Sequence, residues 1–133
     1  MFFGQLDQTT GELRFCAAGL VDVYVIRPHG WEPIAQLNDL PLGSLETSDS
    51  LTEHRCVIER DDTLLVLSGR PRLRARNTAD GNDGQVDGPH YAEAALHHSH
   101  LPADQLAVLL SGLWDHQTSP WAMPPAQLVL RRE

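Results

Sequence analysis

What constrains this chain most is its punctuation. From Phe2 to Leu67, short runs of β-forming residues alternate with turn residues, and none is long enough to make a helix of ordinary length. Phe2–Leu6 is an apolar run that stops at Asp7-Gln8-Thr9-Thr10-Gly11, a polar turn with glycine where a positive φ is required. Glu12–Ala17 alternates: Leu13, Phe15 and Ala17 point one way, and Glu12, Arg14 and Cys16 the other. Val21–Arg27 follows, rich in β-branched and aromatic residues. Pro28-His29-Gly30 is a turn before the next strand, Trp31–Leu37. Leu51–Glu59 and Thr63–Leu67 are two more, with turn chemistry at Asp61-Asp62 between them. Strands joined this closely pair antiparallel.

The second half changes character. Arg70–Arg76 is a basic stretch, and Asn77–Pro89 is a loop dense in Gly, Asp and Asn. His90–His98 has helical character. Leu101-Pro102-Ala103-Asp104 suits a helix start, with proline in the first turn and an acidic residue at the positive helix pole. Leu106, Leu109, Leu110, Leu113 and Trp114 then form an apolar stripe at helical spacing, read as core. Ser119-Pro120 ends that helix, and Ala126–Arg131 is a final strand. Antiparallel β-sheet layers followed by two helices and a closing strand make an α+β domain, with residues 1–133 as one unit.

Composition removes other classes. Apolar residues make up 41% and charged residues 21%, near globular averages, which excludes disorder, collagen and coiled coil as overall descriptions. No apolar run approaches the ~18 residues of a membrane span, and the N-terminus lacks the basic region and cleavage site of a signal peptide. A net charge of −8 argues against nucleic acid as the main partner. All 10 basic residues are arginine, which is read as genomic base composition. Only Cys16 and Cys56 carry thiols, too few for a disulfide framework, so a reducing, cytoplasmic compartment is expected; the sequence leaves open whether the two pair.

Local motifs give limited chemistry. His90, His97, His98 and His100 gather near a helix end, but without the i, i+4 histidine pair of helical metal sites. A solvated helix end, where histidine suits the negative pole, is the preferred reading. Asp80-Gly81-Asn82-Asp83-Gly84 hints at calcium, yet Gly84 and Tyr91 occupy positions where an EF-hand needs ligands. Arg70, Arg72, Arg74 and Arg76 place four guanidinium groups in seven residues; they either bind an acidic or phosphorylated partner or decorate a solvated strand. No Gly-x-Ser-x-Gly nucleophile motif and no glycine-rich phosphate loop occurs.

Taken in order, several segments resemble the SpoIIE-like phosphatase domains of the metal-dependent serine/threonine phosphatase (PPM) family. Phe2-Phe3-Gly4-Gln5-Leu6-Asp7, Thr10-Gly11-Glu12-Leu13 and Ala17-Ala18-Gly19 are similar to the family's strand, turn, strand and Asn-Ala-Gly-His. Asp39-Leu40-Pro41-Leu42-Gly43 resembles its Gly-Leu-Pro-Leu-Gly, and Asp62–Gly69 its Gly-Asp-x-Leu-Leu-Leu-Tyr-Thr-Asp-Gly. Ala75-Arg76-Asn77 matches Ala-Arg-Asn, and Ala126–Leu130 the last strand. The resemblance implies part of an α-β-β-α sandwich, covering the C-terminal half or so of such a domain.

The departures point away from catalysis. The family's metal-binding carboxylate in Thr-Asp-Gly is replaced by Ser68, and the Asp-Asp before the last strand by Met123 and Pro124. Leu20 stands in place of the histidine, and the upstream segment with the remaining ligands is not in this sequence. Family enzymes use manganese or magnesium, so the resemblance implies a degenerate domain with no metal and no other cofactor. Asp61, Asp62, Asp80, Asp83 and Asp87 are the nearby carboxylates that could rescue a site. Leu20 makes the chain look more like the output domains of RssB-type response-regulator adaptors. The resemblance thus implies a pseudophosphatase that binds a regulatory protein: a sigma factor, an anti-sigma kinase or a STAS-type partner. The rival is a metal-dependent phosphatase lacking its N-terminal half here, and a third reading is a small structural or dimerisation domain with an incidental histidine site. A half-domain should leave an apolar sheet face bare, so a homodimer is expected.

Overall fold

The computed structural model describes residues 1–38, 52–68, 73–75, 84–86, 88–113 and 126–133. The elements are β1 (Phe2–Leu6), β2 (Glu12–Ala17), β3 (Leu20–Arg27), β4 (Gly30–Asn38), β5 (His54–Val57), β6 (Thr63–Ser68), β7 (Leu73–Ala75), β8 (Gly84–Val86), α1 (Gly88–His97), α2 (Ala103–Gly112) and β9 (Ala126–Arg131). They build one sheet in the order β1-β2-β5, a second in the order β4-β3-β6-β9, and a small β7-β8 pair, with every pairing antiparallel.

The alternation of β2 decides how the sheets stack. Leu13, Phe15 and Ala17 are buried against Val21, Val23, Val25, Leu64 and Val66 of the second sheet, with Ile58 closing the same core. The opposite face of the second sheet carries Tyr24, Ile26, Leu65 and Leu67, packed on Tyr91, Ala92 and Ala95 of α1 and Leu106 and Leu110 of α2. Strands β3 and β6 are therefore buried on both faces, which is why their sequences are nearly continuous apolar runs. The result is three layers: sheet, sheet, helices. It is α+β, as the residue pattern requires.

Several boundaries differ from the sequence reading. The stretch read as a loop over Asn77–Pro89 contains β8 and the first two residues of α1, because β8 pairs with β7 and takes its order from that neighbour rather than from its own polar composition. The strand expected over Leu51–Glu59 is shorter, since Ile58 leaves the ladder to bond the turn at Gly11 and fill the inter-sheet core. Pro102 is the N-cap of α2 rather than a first-turn residue. In the leucine stripe Leu106 and Leu110 are buried, whereas Leu113 lies past the helix end and is exposed; Trp114 is outside the described residues.

The outer face of the first sheet also departs from expectation. Phe3 and Val57 are exposed on it at 70% and 52%. Between them, however, runs the cross-strand row Gln5, Arg14 and Arg55, so the face is mixed rather than apolar. Cys16 lies on this outer face and Cys56 on the inner one, against the core; both are free thiols.

Candidate functional site

The strand order brings Ser68 and Leu20, two of the resemblance-derived positions, to one end of the sandwich. There β2 passes into β3 through Ala18 and Gly19, the latter at φ +84° with open space where a Cβ would stand. Ser68 ends β6 opposite Val21 of β3 and Ala126, the first residue of β9. Its side chain is half-buried. Leu20 is 47% exposed at the start of β3, an apolar side chain turned to solvent where the resemblance places histidine. Asp22 is buried one step further along β3 and is engaged by neighbouring groups.

Met123, Pro124, Arg70, Arg72 and Arg76 lie outside the described residues, as do Asp80, Asp83 and Asp87. Arg74 falls on β7 opposite Gln85. Asp61 and Asp62 precede β6, whereas Ser68 ends it. A six-residue strand separates them by roughly 17–20 Å, so neither carboxylate reaches the Ser68 position. Among the described residues no group of three His, Cys, Asp or Glu side chains is placed to hold a metal ion. His98 and His100 are neighbours with ring centroids 6.1 Å apart, and His97 pairs with Glu93 one turn back on α1. His97 lies in the last turn of α1, where a cation suits the helix pole.

The opposite end of the sandwich is built from charged groups, most of which the sequence reading did not single out. Asp62, 2% exposed, accepts from the Glu59 backbone N–H at 2.9 Å and pairs with Arg27 Nε at 3.5 Å. Arg27 Nη1 also donates to Glu32 at 2.5 Å. Desolvation pulls the Arg27 pKa down, but the Glu32 hydrogen bond and the charges of Glu32, Asp62 and Glu59 outweigh it and raise it. Asp7 Oδ1 accepts from the Thr9 and Thr10 backbone N–H groups, which together hold its carboxyl below the ordinary carboxylate range.

The last two arginines join the layers at this end. Arg132 donates from Nη1 to the Ile58 carbonyl at 2.8 Å and from Nη2 to the Gln8 and Thr9 carbonyls at 3.1 Å. Arg131 points to the other face of β9 and donates to the Leu101 carbonyl at 3.0 Å and to that of Ser99. Adjacent strand residues face opposite ways, so one arginine holds the first sheet and the next holds the helices. Nearby, Trp31 meets Tyr24 edge-on with centroids 5.6 Å apart and donates from Nε1 to Glu93 of α1 at 2.7 Å. The β3–β4 and β5–β6 turns enclose an open cleft of about 510 Å³ here, lined among others by Arg27, His29, Trp31, Glu59, Arg60 and Asp62.

Two solved structures share this fold. The first is that of the RsbU and RsbW domains of Rv1364c from Mycobacterium tuberculosis, with a TM-score of 0.61 at 20% identity, covering 84% of this chain and 31% of that one. The second, the phosphatase domain of the cell-fate determinant SpoIIE from Bacillus subtilis, has a TM-score of 0.57 at 11% identity and covers 100% of this chain and 58% of its own. At these identities the likeness is one of fold: the chain has the sheet and helix arrangement of SpoIIE-like, PPM-type phosphatase domains. It spans about a third and somewhat over half of the two neighbours. No family model matches the sequence, and no curated protein does.

Proposed function

We propose that this chain is a non-catalytic signalling domain, a pseudophosphatase that binds a regulatory protein. The observation that carries the reading is Ser68, a half-buried hydroxyl at the strand end where the resemblance puts a metal-binding carboxylate. A neutral hydroxyl does not supply the charge that hard divalent cations prefer. Met123 and Pro124, just before β9, add a thioether and a ring. The residues therefore do not fit a pair of divalent cations, and a two-metal clamp on a phosphoryl group has nothing to hold it. Neither metal nor cofactor belongs to this reading.

What replaces the chemistry is a contact surface. Leu20 is exposed at this end, and Arg70, Arg72, Arg74 and Arg76 follow β6 in sequence. Four guanidinium groups in a chain of net charge −8 make a local positive patch, suited to an acidic or phosphorylated protein. The neighbour that combines RsbU and RsbW domains in one protein supports a partner of the sigma-factor, anti-sigma or STAS type. Among the described residues no helix is long and apolar enough to cross a membrane, and a cytoplasmic setting is part of the proposal. So is a homodimer through the face that exposes Phe3 and Val57.

The test is hydrolysis of a generic aryl phosphate in excess manganese, run beside binding of purified anti-sigma and STAS-type proteins. No metal-dependent turnover, with binding weakened by Arg72→Ala combined with Arg74→Ala, is the expected pair of results. Turnover abolished by Asp80→Ala would reinstate the second reading, a phosphatase whose N-terminal half lies outside this sequence; the partial coverage of both neighbours is what favours it.

A further inference from the structure

We propose that the free edge of β1 is the seam of a homodimer, pairing antiparallel with β1 of a second copy about a two-fold axis at Gly4. This rests on the homodimer proposed above and names the contact that makes it.

An open strand edge is a template for another chain, and proteins blunt it with charge, proline or a bulge. In the second sheet, β4 carries Glu32, Pro33 and the extra residue Ile34, where the register shifts between Val23 and Tyr24. At the other edge of that sheet, β9 ends in Arg131 and is bonded to α2 through Gln127 and the Ala107 carbonyl. In the first sheet, β5 carries His54 and Arg55. Of these outer strands only β1, Phe-Phe-Gly-Gln-Leu, has no charge, no proline and no bulge.

The hydrogen-bonding groups of this edge are self-complementary. The Met1 ammonium donates to the Ala18 carbonyl, the Ala18 N–H donates back to Met1, and the Asp7 N–H donates to Glu12. These pairs fix the alternation of the ladder. Phe3 and Gln5 bond β2, while the N–H and C=O groups of Phe2, Gly4 and Leu6 point out of the edge. None of the outward groups has a partner among the described residues. An antiparallel copy centred on Gly4 answers every one of them, Gly4 with Gly4 and Phe2 with Leu6.

This register also keeps the faces in order, because residues opposite each other share a side of the sheet. Phe2 and Leu6 pack on the inter-sheet core and continue that apolar row into the second copy. On the outer face Phe3 stands opposite Gln5 and diagonal to the other Phe3, within reach of an aromatic side chain. The pairing thus covers a ring that is exposed in the single chain. No charge opposes it: Arg14 lies one strand back and pairs with Glu12 at 3.5 Å, and the two Asp7 carboxylates fall at opposite ends of the seam.

The experiment uses the full chain with Cys16→Ser and Cys56→Ala as background, and adds Phe3→Cys and Gln5→Cys in separate preparations. Both positions are exposed on the outer face, so the fold is kept. Across the seam Phe3 and Gln5 form a non-hydrogen-bonded pair with Cα atoms ~4.5 Å apart, which a disulfide spans. Oxidising an equimolar mixture should give about fivefold more cross-linked dimer than either preparation alone. In the native chain, Gln5→Lys should raise the dimer Kd measured by sedimentation about tenfold, as a charge on an edge strand does. A sedimenting dimer without the preferential cross-link would keep the homodimer and overturn the edge pairing. A cross-link strongest in Phe3→Cys alone would mark a seam centred on Phe3 and overturn it too. A monomer at millimolar concentration would remove both the seam and the homodimer.

Discussion

The two ends of the sandwich are made of different material. At the turn end, Arg131 and Arg132 reach carbonyls of the other two layers, Asp62, Arg27 and Glu32 pair within the second sheet, and Gly11 is pressed against Arg132 and the Ile58 carbonyl. At the strand end, Gly19 has open space around it, Leu20 is exposed, and Ser68 faces Ala126 across the ladder. One end is fastened by arginine bonds to distant carbonyls, whereas the other is held by the Met1 ammonium on the Ala18 carbonyl and by Gln127 on the Ala107 carbonyl.

The sharpest way to break this comparison is a pair of glycine substitutions. Both glycines have positive φ, near +80° and +84°. An added Cβ at Gly11 would collide with Arg132 Nη1 and the Ile58 carbonyl, whereas at Gly19 it meets nothing within 4 Å. Gly11→Ala should cost about 3–4 kcal/mol, backbone strain plus displaced Arg132 bonds. Gly19→Ala should cost about 1–2 kcal/mol, from strain alone. Thermal unfolding of the two variants measures the difference, and equal losses would show that the ends are not distinct.

Arg132→Met keeps the aliphatic stem and removes three bonds to carbonyls. A loss of about 2 kcal/mol is expected, a fall in Tm of several degrees for a domain this size. Leu20→Ser, at the other end, should shift stability by less than about 0.5 kcal/mol, as exposed substitutions do, while weakening the proposed protein contact.

Acid should weaken the turn end through Asp7. The folded state holds Asp7 below the ordinary carboxylate value of about 4. Its contribution is therefore complete above that value and is lost as pH falls through the lower folded one. Tm followed from pH 5 to 2 should fall more steeply for the wild type than for Asp7→Asn, which keeps an acceptor but does not titrate.

The thiols give the smallest effect. Burial, then the nearby Glu32 charge, pushes the Cys56 thiol pKa up, and Cys56 packs on the core. A maleimide should modify Cys16 first, with no disulfide between the two, since they project from opposite faces of the first sheet.

Much of this was legible from residue order. The two-residue period of Glu12–Ala17 assigns Leu13, Phe15 and Ala17 to the core without any partner being known, because side chains alternate across a strand whatever it pairs with. Gly11 and the Asp61-Asp62 turn were readable for the same local reason: φ +80° favours glycine, and Asp61, at φ 67°, tolerates the left-handed region. The succession of short runs gave the antiparallel sheets, and the spacing of Leu106 and Leu110 gave the buried face of α2. What the chain could not announce depends on neighbours distant in sequence. That Ile58 leaves its strand for Gly11, that Trp31 reaches Glu93 62 residues on, and that Gly84–Val86 is a strand at all are settled by a partner. In the sequence Arg131 is only the end of the last strand and Arg132 the residue after it. Only the stacking of three layers places carbonyls of the β1–β2 turn on one side of them and of the α1–α2 connection on the other, and a guanidinium binds what the fold puts within its reach.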